Sequence, residues 1–250
     1  MEIGNILIIL VAGIIGGFIN AVSAAGSLIT LPAFIFAGLT PGAANATNRV
    51  AIMAQNFSSA YAFRSKGIKT DSYMFWLAAA SIPGAVLGAW FSLKIPDAIF
   101  TKILSVVMVV FLIITLLNPL KNAGGEAERV EPKHKALGVF LYFLFGIYGG
   151  FIQAGTGFFL MSGTLLLHRF NIVKTNYYKA VIMFTYTVVA FLVFVFKGNI
   201  HWLEGILMGV GMSIGAFFGS RWTIDASAVW IRRVMVVLIC SMAVYLWIFK

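Results

Sequence analysis

Carboxylates are scarce in this chain: 8 Asp and Glu among 250 residues, against 18 Lys and Arg. Their placement excludes more than their number does. Glu2, Asp71, Asp97, Glu126, Glu128, Glu131, Glu204 and Asp225 all fall outside the apolar runs or at their margins. A proton pump or cation-coupled antiporter carries an acid inside the membrane, a membrane aspartyl protease needs two, and a zinc protease needs His-Glu-x-x-His. None of these is present. The three histidines (His134, His168, His201) stand far apart, so no metal, cofactor or catalytic residue is expected. The lone Cys240 lies in an apolar run; it makes no disulfide framework and reads as a small buried apolar residue. Charge of either sign is short as well, at 10% of residues against 61% hydrophobic, where soluble domains hold about 25% and 45–50%. One soluble core cannot hide that much apolar surface. Only Glu2 precedes the first apolar run, which therefore lacks the basic region of a cleaved signal peptide and reads as retained structure.

What the chain does contain is a duplication. Lys66-Gly67 returns as Lys197-Gly198, Gly84-Ala85 with Gly88 returns as Gly215-Ala216 with Gly219, and Gly17-Phe-Ile-Asn-Ala21 returns as Gly150-Phe-Ile-Gln-Ala154. The fold expected is an all-α polytopic membrane protein of two inverted repeats, about five transmembrane segments each, with the first helix of each repeat broken near the midplane. The first repeat covers 1–120, a Gly-Gly and charge-rich cytoplasmic linker 121–135, and the second repeat 136–250. Such pairs of repeats place one binding site between two rocking halves.

Uncharged stretches define ten segments: 3–21, 26–38, 43–63, 73–93 and 99–118, then 136–154, 157–168, 178–196, 203–220 and 232–249. The second of each half is shorter than the roughly 20 residues a spanning helix needs. If both short segments cross, Arg64/Lys66/Lys69, Lys121/Arg129/Lys133/Lys135, Arg169/Lys174/Lys179 and Arg221/Arg232/Arg233 all face the cytoplasm. The positive-inside rule favours that count, and an odd number of crossings per half inverts the second repeat. The net charge of +10 then belongs to loops near anionic headgroups and excludes nucleic acid as a partner.

Polar residues gather in two matching places. The first is Asn20-Ala-Val-Ser23-Ala-Ala-Gly26-Ser27, with its counterpart Gln153-Ala-Gly155-Thr156-Gly157. Each interrupts an apolar run just before a short segment, and irregular backbone survives at membrane depth only inside protein or beside a wet cavity. The following short helix would aim backbone N–H groups and a positive dipole end at an anion, although small residues alone also serve close packing. The second place is Asn45-Ala-Thr47-Asn48-Arg49, with Asn176-Tyr-Tyr-Lys179 as counterpart. Arg49 stands about two turns inside its run, beside Gln55 and Asn56, six and seven residues on. Lys179 stands nearer a segment end, where snorkelling is the plainer reading. The substrate-binding set expected is Asn20, Ser23, Gly26, Ser27, Thr47, Asn48, Arg49, Gln153, Gly155, Thr156, Gly157, Asn176 and Lys179.

These motifs resemble the TauE/SafE family. Gly17-Phe-Ile-Asn-Ala with Gly26-Ser-Leu-Ile-Thr-Leu-Pro32, Gly38-Leu-Thr-Pro41 and Ala46-Thr-Asn-Arg49 match its first signature, and Gly149 through Gly157 its second. Ser23-Ala-Ala-Gly26 has fewer glycines than is usual there, and Asn176-Tyr-Tyr-Lys179 replaces Ala-Thr-Asn in the second half. The resemblance implies a permease of the cell membrane exporting sulfite, sulfonates or related anions. A membrane-embedded scaffold or assembly subunit and a passive anion channel are the alternatives. The partners expected are a small anion and the lipid bilayer, with a homodimer left open. Topology is directly testable. In a Cys240→Ala background, single cysteines at Thr70 and Asn199 are expected to react with an impermeant maleimide from opposite sides, and same-side labelling removes the inverted repeat.

Overall fold

The computed structural model describes residues 3–24, 26–117, 128–197 and 200–225. Among them the regular elements are helices: α1 (Ile3–Ser23), α2 (Ser27–Phe36), α3 (Pro41–Ser65), α4 (Ser72–Ser92), α5 (Asp97–Leu117), α6 (Pro132–Phe151), α7 (Thr156–Ser162), α8 (Ile172–Val195) and α9 (Trp202–Asp225). A π-helical turn, Gly163–Leu167, continues α7. The expected segment at 232–249 with Cys240, the linker as far as residue 127, Asn199 and the side chain of Ser23 lie outside the described residues. Five of the helices (α1, α4, α6, α8 and α9) are long and apolar enough to cross a membrane.

Local chemistry sets the helix starts. Thr40 accepts from the Ala43 N–H and Pro41 follows at the first helical position, so α3 begins ahead of the uncharged run. Asn171 accepts from the Lys174 N–H at 2.8 Å. That cap starts α8 at Ile172, six residues before the expected 178, and carries Lys179 two turns into the helix rather than to its end. Between α2 and α3 the chain turns at Gly38, whose φ of +99° only glycine adopts without strain.

Small residues let helices meet backbone to backbone. On the α1–α9 interface, a Cβ built on Gly17 would lie 2.1 Å from the Met212 carbonyl oxygen, and one on Gly215 2.0 Å from that of Ile14. The α4–α6 interface repeats the device, with Gly150 against Ala85 at 2.2 Å and Gly88 against Ile147 at 2.0 Å. Each pair joins a helix of one half of the chain to a helix of the other. The outer faces carry exposed apolar side chains such as Val11, Trp76, Phe140 and Ile206, while α2 is buried along nearly its whole length and α3 and α8 bury their polar faces.

The two seams do not use their matching residues in the same register. Gly150, the counterpart of Gly17, meets Ala85, whereas Gly17 meets Met212, the counterpart of Ser81. Relative to the sequence pairing, the two interfaces are therefore one helical turn out of step. Glycines four residues apart offer equivalent grooves at successive turns, so sequence alone leaves this register open.

A Gly150→Leu substitution is expected to force α6 off α4. Overpacking of this kind costs about 1–3 kcal/mol and lowers the unfolding temperature in detergent. Gly4→Leu, with nothing within 4 Å of the added carbon, should stay within about 0.5 kcal/mol of the parent.

Candidate functional site

Both expected interruptions exist and they touch each other. Between α1 and α2 the chain turns through Ala24, which holds φ at +62°, a region that costs an L-residue roughly 1–2 kcal/mol. Between α6 and α7 it turns through Gly155 at φ +74°. Ser27 joins the two: its Oγ donates to the Gln153 carbonyl at 3.2 Å and accepts from the Gly155 N–H at 3.1 Å. Gly26 packs on the Gly16 carbonyl and Asn20, and Gly157 on Ala24, at distances that admit no side chain. Thr156 turns back to the Ile152 and Gln153 carbonyls. The arrangement is closed, and Asn20, Ser27, Gln153 and Thr156 have no exposed surface.

Breaking a helix in lipid leaves its last carbonyls without partners. Here each broken end receives a buried cation from elsewhere in the chain. Arg49 of α3 reaches the C-terminus of α6, donating from Nη1 to the Gly149 carbonyl at 3.1 Å and to Gln153 Oε1 at 3.1 Å, and from Nη2 to the Gly150 carbonyl at 2.5 Å. Asn45 Nδ2 takes the Phe151 carbonyl at 3.0 Å. Lys179 of α8 does the same for α1, donating from Nζ to the Asn20 carbonyl at 2.6 Å, the Ala21 carbonyl at 3.4 Å and Asn176 Oδ1 at 2.8 Å. The Arg49 guanidinium also lies 4.5 Å from the centre of the Phe194 ring. Arg49 and Lys179 are 0% and 2% exposed, so neither snorkels. No carboxylate contacts either of them among the described residues.

Not every expected residue meets the breaks. Thr47 Oγ1 instead accepts from the His201 N–H at the start of α9, and Asn48 Oδ1 accepts from Thr30 of α2. The sequence reading missed other members. Asn20 Nδ2 donates to Gln55 Oε1, Gln55 to Ser59, and Ser220 to Ser59, which extends the polar network into α9. Gln153 Nε2 donates to the Tyr186 hydroxyl at 3.1 Å. The spacing of Asn48, Gln55 and Ser59 places them along one helical face, a signal that was available; Tyr186 gave none. Several buried donors remain unpartnered here: Asn48 Nδ2, Asn176 Nδ2, Arg49 Nε and Thr187 Oγ1.

A second polar cluster ties the helix ends together away from the breaks. The Tyr178 hydroxyl donates to Asp71, which also caps α4 through the Met74 N–H at 3.0 Å. Lys174 pairs with Glu128 at 2.8 Å, and the Tyr73 hydroxyl meets His168 Nε2 at 3.0 Å.

Comparison with known proteins now decides the family. The family model described as "Sulfite exporter TauE/SafE" matches residues 9–246. The chain belongs to the TauE/SafE family. A Sinorhizobium protein named "Probable membrane transporter protein ORF9" is 31% identical over 236 residues, covering 94% of this chain and 90% of its own. A Haemophilus influenzae protein named "Probable membrane transporter protein" is 29% identical, covering 95% and 93%. The Escherichia coli K12 protein named "Probable membrane transporter protein YfcA" is 25% identical, covering 92% and 84%. No solved structure matches. The chain is thus a multi-pass membrane transporter of the TauE/SafE family, and the names of its relatives accord with a non-enzymatic role.

Removing the guanidinium of Arg49 leaves the Gly149 and Gly150 carbonyls and Gln153 Oε1 buried without their donor. Arg49→Ala is expected to destabilise the protein by about 2 kcal/mol or more, measured as earlier thermal unfolding in detergent. Arg49→Lys should recover only part of the loss, since one ammonium cannot span both carbonyls as the planar guanidinium does.

Proposed function

We propose that this transporter is a carrier of small anions in the cell membrane, sulfite, sulfonates or carboxylates foremost, working by alternating access at the meeting point of its interrupted helices. The observation that carries the reading is the pair of buried cations, Arg49 and Lys179, with no carboxylate beside them among the described residues. A buried charge is costly unless something opposes it. The carbonyls at two helix ends supply partial negative charge, and an anion would supply the remainder. Unpartnered donors on Asn48, Asn176, Arg49 and Thr187 are groups such an anion could take. Asn20, Ser23, Gln153 and Thr156 would orient it, and Gly26, Ser27, Gly155 and Gly157 would leave room for it as the breaks part.

Two features support alternating access in which the moving units are helix pairs that each combine a helix from either half. The 17–21 motif and its copy at 150–154 both sit at a helix break. The helix pairs α1–α9 and α4–α6 are each sealed by several glycines along their length, whereas the breaks meet at the Ser27 hydrogen bonds and one glycine contact, Gly157 on Ala24. Such bonds exchange more readily than interlocked backbones, so the pairs would rock as units. The closed packing is then an occluded state, and the apolar lipid-facing surface fits a multi-pass protein of the inner membrane.

Proteoliposome flux tests the proposal. Labelled sulfite, methanesulfonate and acetate should enter by a saturable route that accelerates when the same unlabelled anion is loaded inside. Arg49→Ala is expected to lower kcat/KM at least about tenfold, equivalent to about 1.4 kcal/mol. Conductance that never saturates would identify a channel, and absence of flux for every anion would reject the anion reading.

A further inference from the structure

We infer that Lys179 is a proton-binding site that couples anion movement to proton movement, an assignment that rests on the carrier reading above. The two halves put a cation at equivalent broken ends, but the two cations are chemically unlike. The guanidinium of Arg49 stays charged under all physiological conditions, whereas an amine can lose its proton. Lys179 is held by three neutral oxygens, the Asn20 and Ala21 carbonyls and Asn176 Oδ1. Nothing in that shell fixes its charge.

Asn176 suits either state. Its Oδ1 accepts from the ammonium at 2.8 Å while its Nδ2, fully buried, has no partner. Rotating the amide by half a turn would offer that N–H to the lone pair of a neutral amine. An amide beside a permanently charged group has no use for this second face, and at the corresponding end Arg49 takes the Gln153 oxygen while Gln153 Nε2 is engaged by Tyr186.

Other titratable groups on the elements packed against α8 leave Lys179 as the candidate within the span. α1 carries none in Ile3–Ser23, and neither do α7 and its π-helical turn. On α3 they are Arg49, already bonded to α6, and Tyr61 and Arg64 toward its far end. α4 brings Tyr73, bonded to His168, with Asp71 at its cap taken by Tyr178 and Lys174. α6 brings Lys133, His134 and Lys135 in its first turn, then Tyr142 and Tyr148, bonded to the Leu160 and Ala154 carbonyls. On α8 itself, Lys174 pairs with Glu128, Tyr178 with Asp71 and Tyr186 with Gln153, and Tyr177 packs on Phe63. α9 has Glu204 in its first turn near His201, Arg221 stacked on Phe217, and Asp225 as its last residue.

The proton balance is simple. An anion bound beside the protonated amine makes a pair of low net charge, which crosses lipid at smaller cost than the bare ammonium. After the anion leaves, one N–H bond breaks, the proton passes to water entering the opened side, and the lone pair takes the Asn176 N–H. The empty carrier, with Lys179 neutral and Arg49 still charged, then returns with the same net charge as the loaded form. Anion and proton travel in the same direction.

The test uses the full-length protein in proteoliposomes, with labelled sulfite and, in parallel, methanesulfonate. Acidifying the side of entry by about one pH unit should raise wild-type flux several-fold, up to about tenfold for one proton per anion. In Lys179→Arg the flux that remains should show a response near one, because arginine keeps its proton. Sulfite's own titration is common to both proteins and cancels when their ratios are compared, and methanesulfonate, the anion of a strong acid, has none. Asn176→Asp is the second variant: a carboxylate beside the amine holds it protonated, moving the flux midpoint at least one pH unit upward. Wild-type flux indifferent to the gradient, an undiminished response in Lys179→Arg, an unmoved midpoint in Asn176→Asp, or two folded variants that carry nothing at any pH would each overturn the assignment. Absence of wild-type flux for both probes strikes instead at the carrier reading.

Discussion

The structure depends on two hydrogen-bonded cations at two broken helix ends. A helix satisfies its own backbone except at its ends, and the C-terminal carbonyls of α1 and α6 are buried inside the protein at the two breaks. Arg49 and Lys179 supply those carbonyls with donors, and other features follow from that need. α3 and α8 must turn polar faces inward to bring the cations there, so Asn45, Asn48, Asn176 and their neighbours are buried on helices that would otherwise be apolar. The glycine seams flanking them let the broken helices come close enough for one side chain to reach.

Strength is divided unequally between the parts. The α1–α9 and α4–α6 pairs interlock through main-chain contacts that a single methyl group would disrupt. The two breaks meet through the Ser27 hydroxyl, donor and acceptor at once, and through the close packing of Gly157 on Ala24. Net hydrogen-bond contributions inside membranes average well under 1 kcal/mol, at about 0.6. A rearrangement that parted the breaks and kept the pairs whole would therefore meet its least resistance at the residues the sequence marked as polar.

Much of this is legible in the sequence. Glycine, serine and amide residues inside an apolar run carry a clear physical meaning in lipid, and both breaks fell where Asn20 to Ser27 and Gln153 to Gly157 had placed them. Two things were not legible. Snorkelling was the plainer reading for Lys179 because the uncharged run began at 178, yet one asparagine cap at 171 moved the helix start outward and buried the amine. The register of α4 on α6 was the other. A ladder of small residues every four positions admits several alignments of similar fit, so the sequence alone leaves the register open.

The two cations also bear on the anion reading of an interior that holds so few acids. A helix end carries roughly half a negative charge, so each cation is opposed only in part, and their sum leaves the centre positive. A carboxylate on α3 or α8 would have neutralised that charge, and among the described residues neither helix has one. In carriers with broken helices, the C-terminal half-helix ends often hold a diffusible cation. Here those positions are filled by side chains that cannot leave. On the carrier reading, a tethered cation does not travel with the substrate, so an ion that travels would either oppose its charge or alter it. Arg49 allows only the first course, and Lys179 allows both.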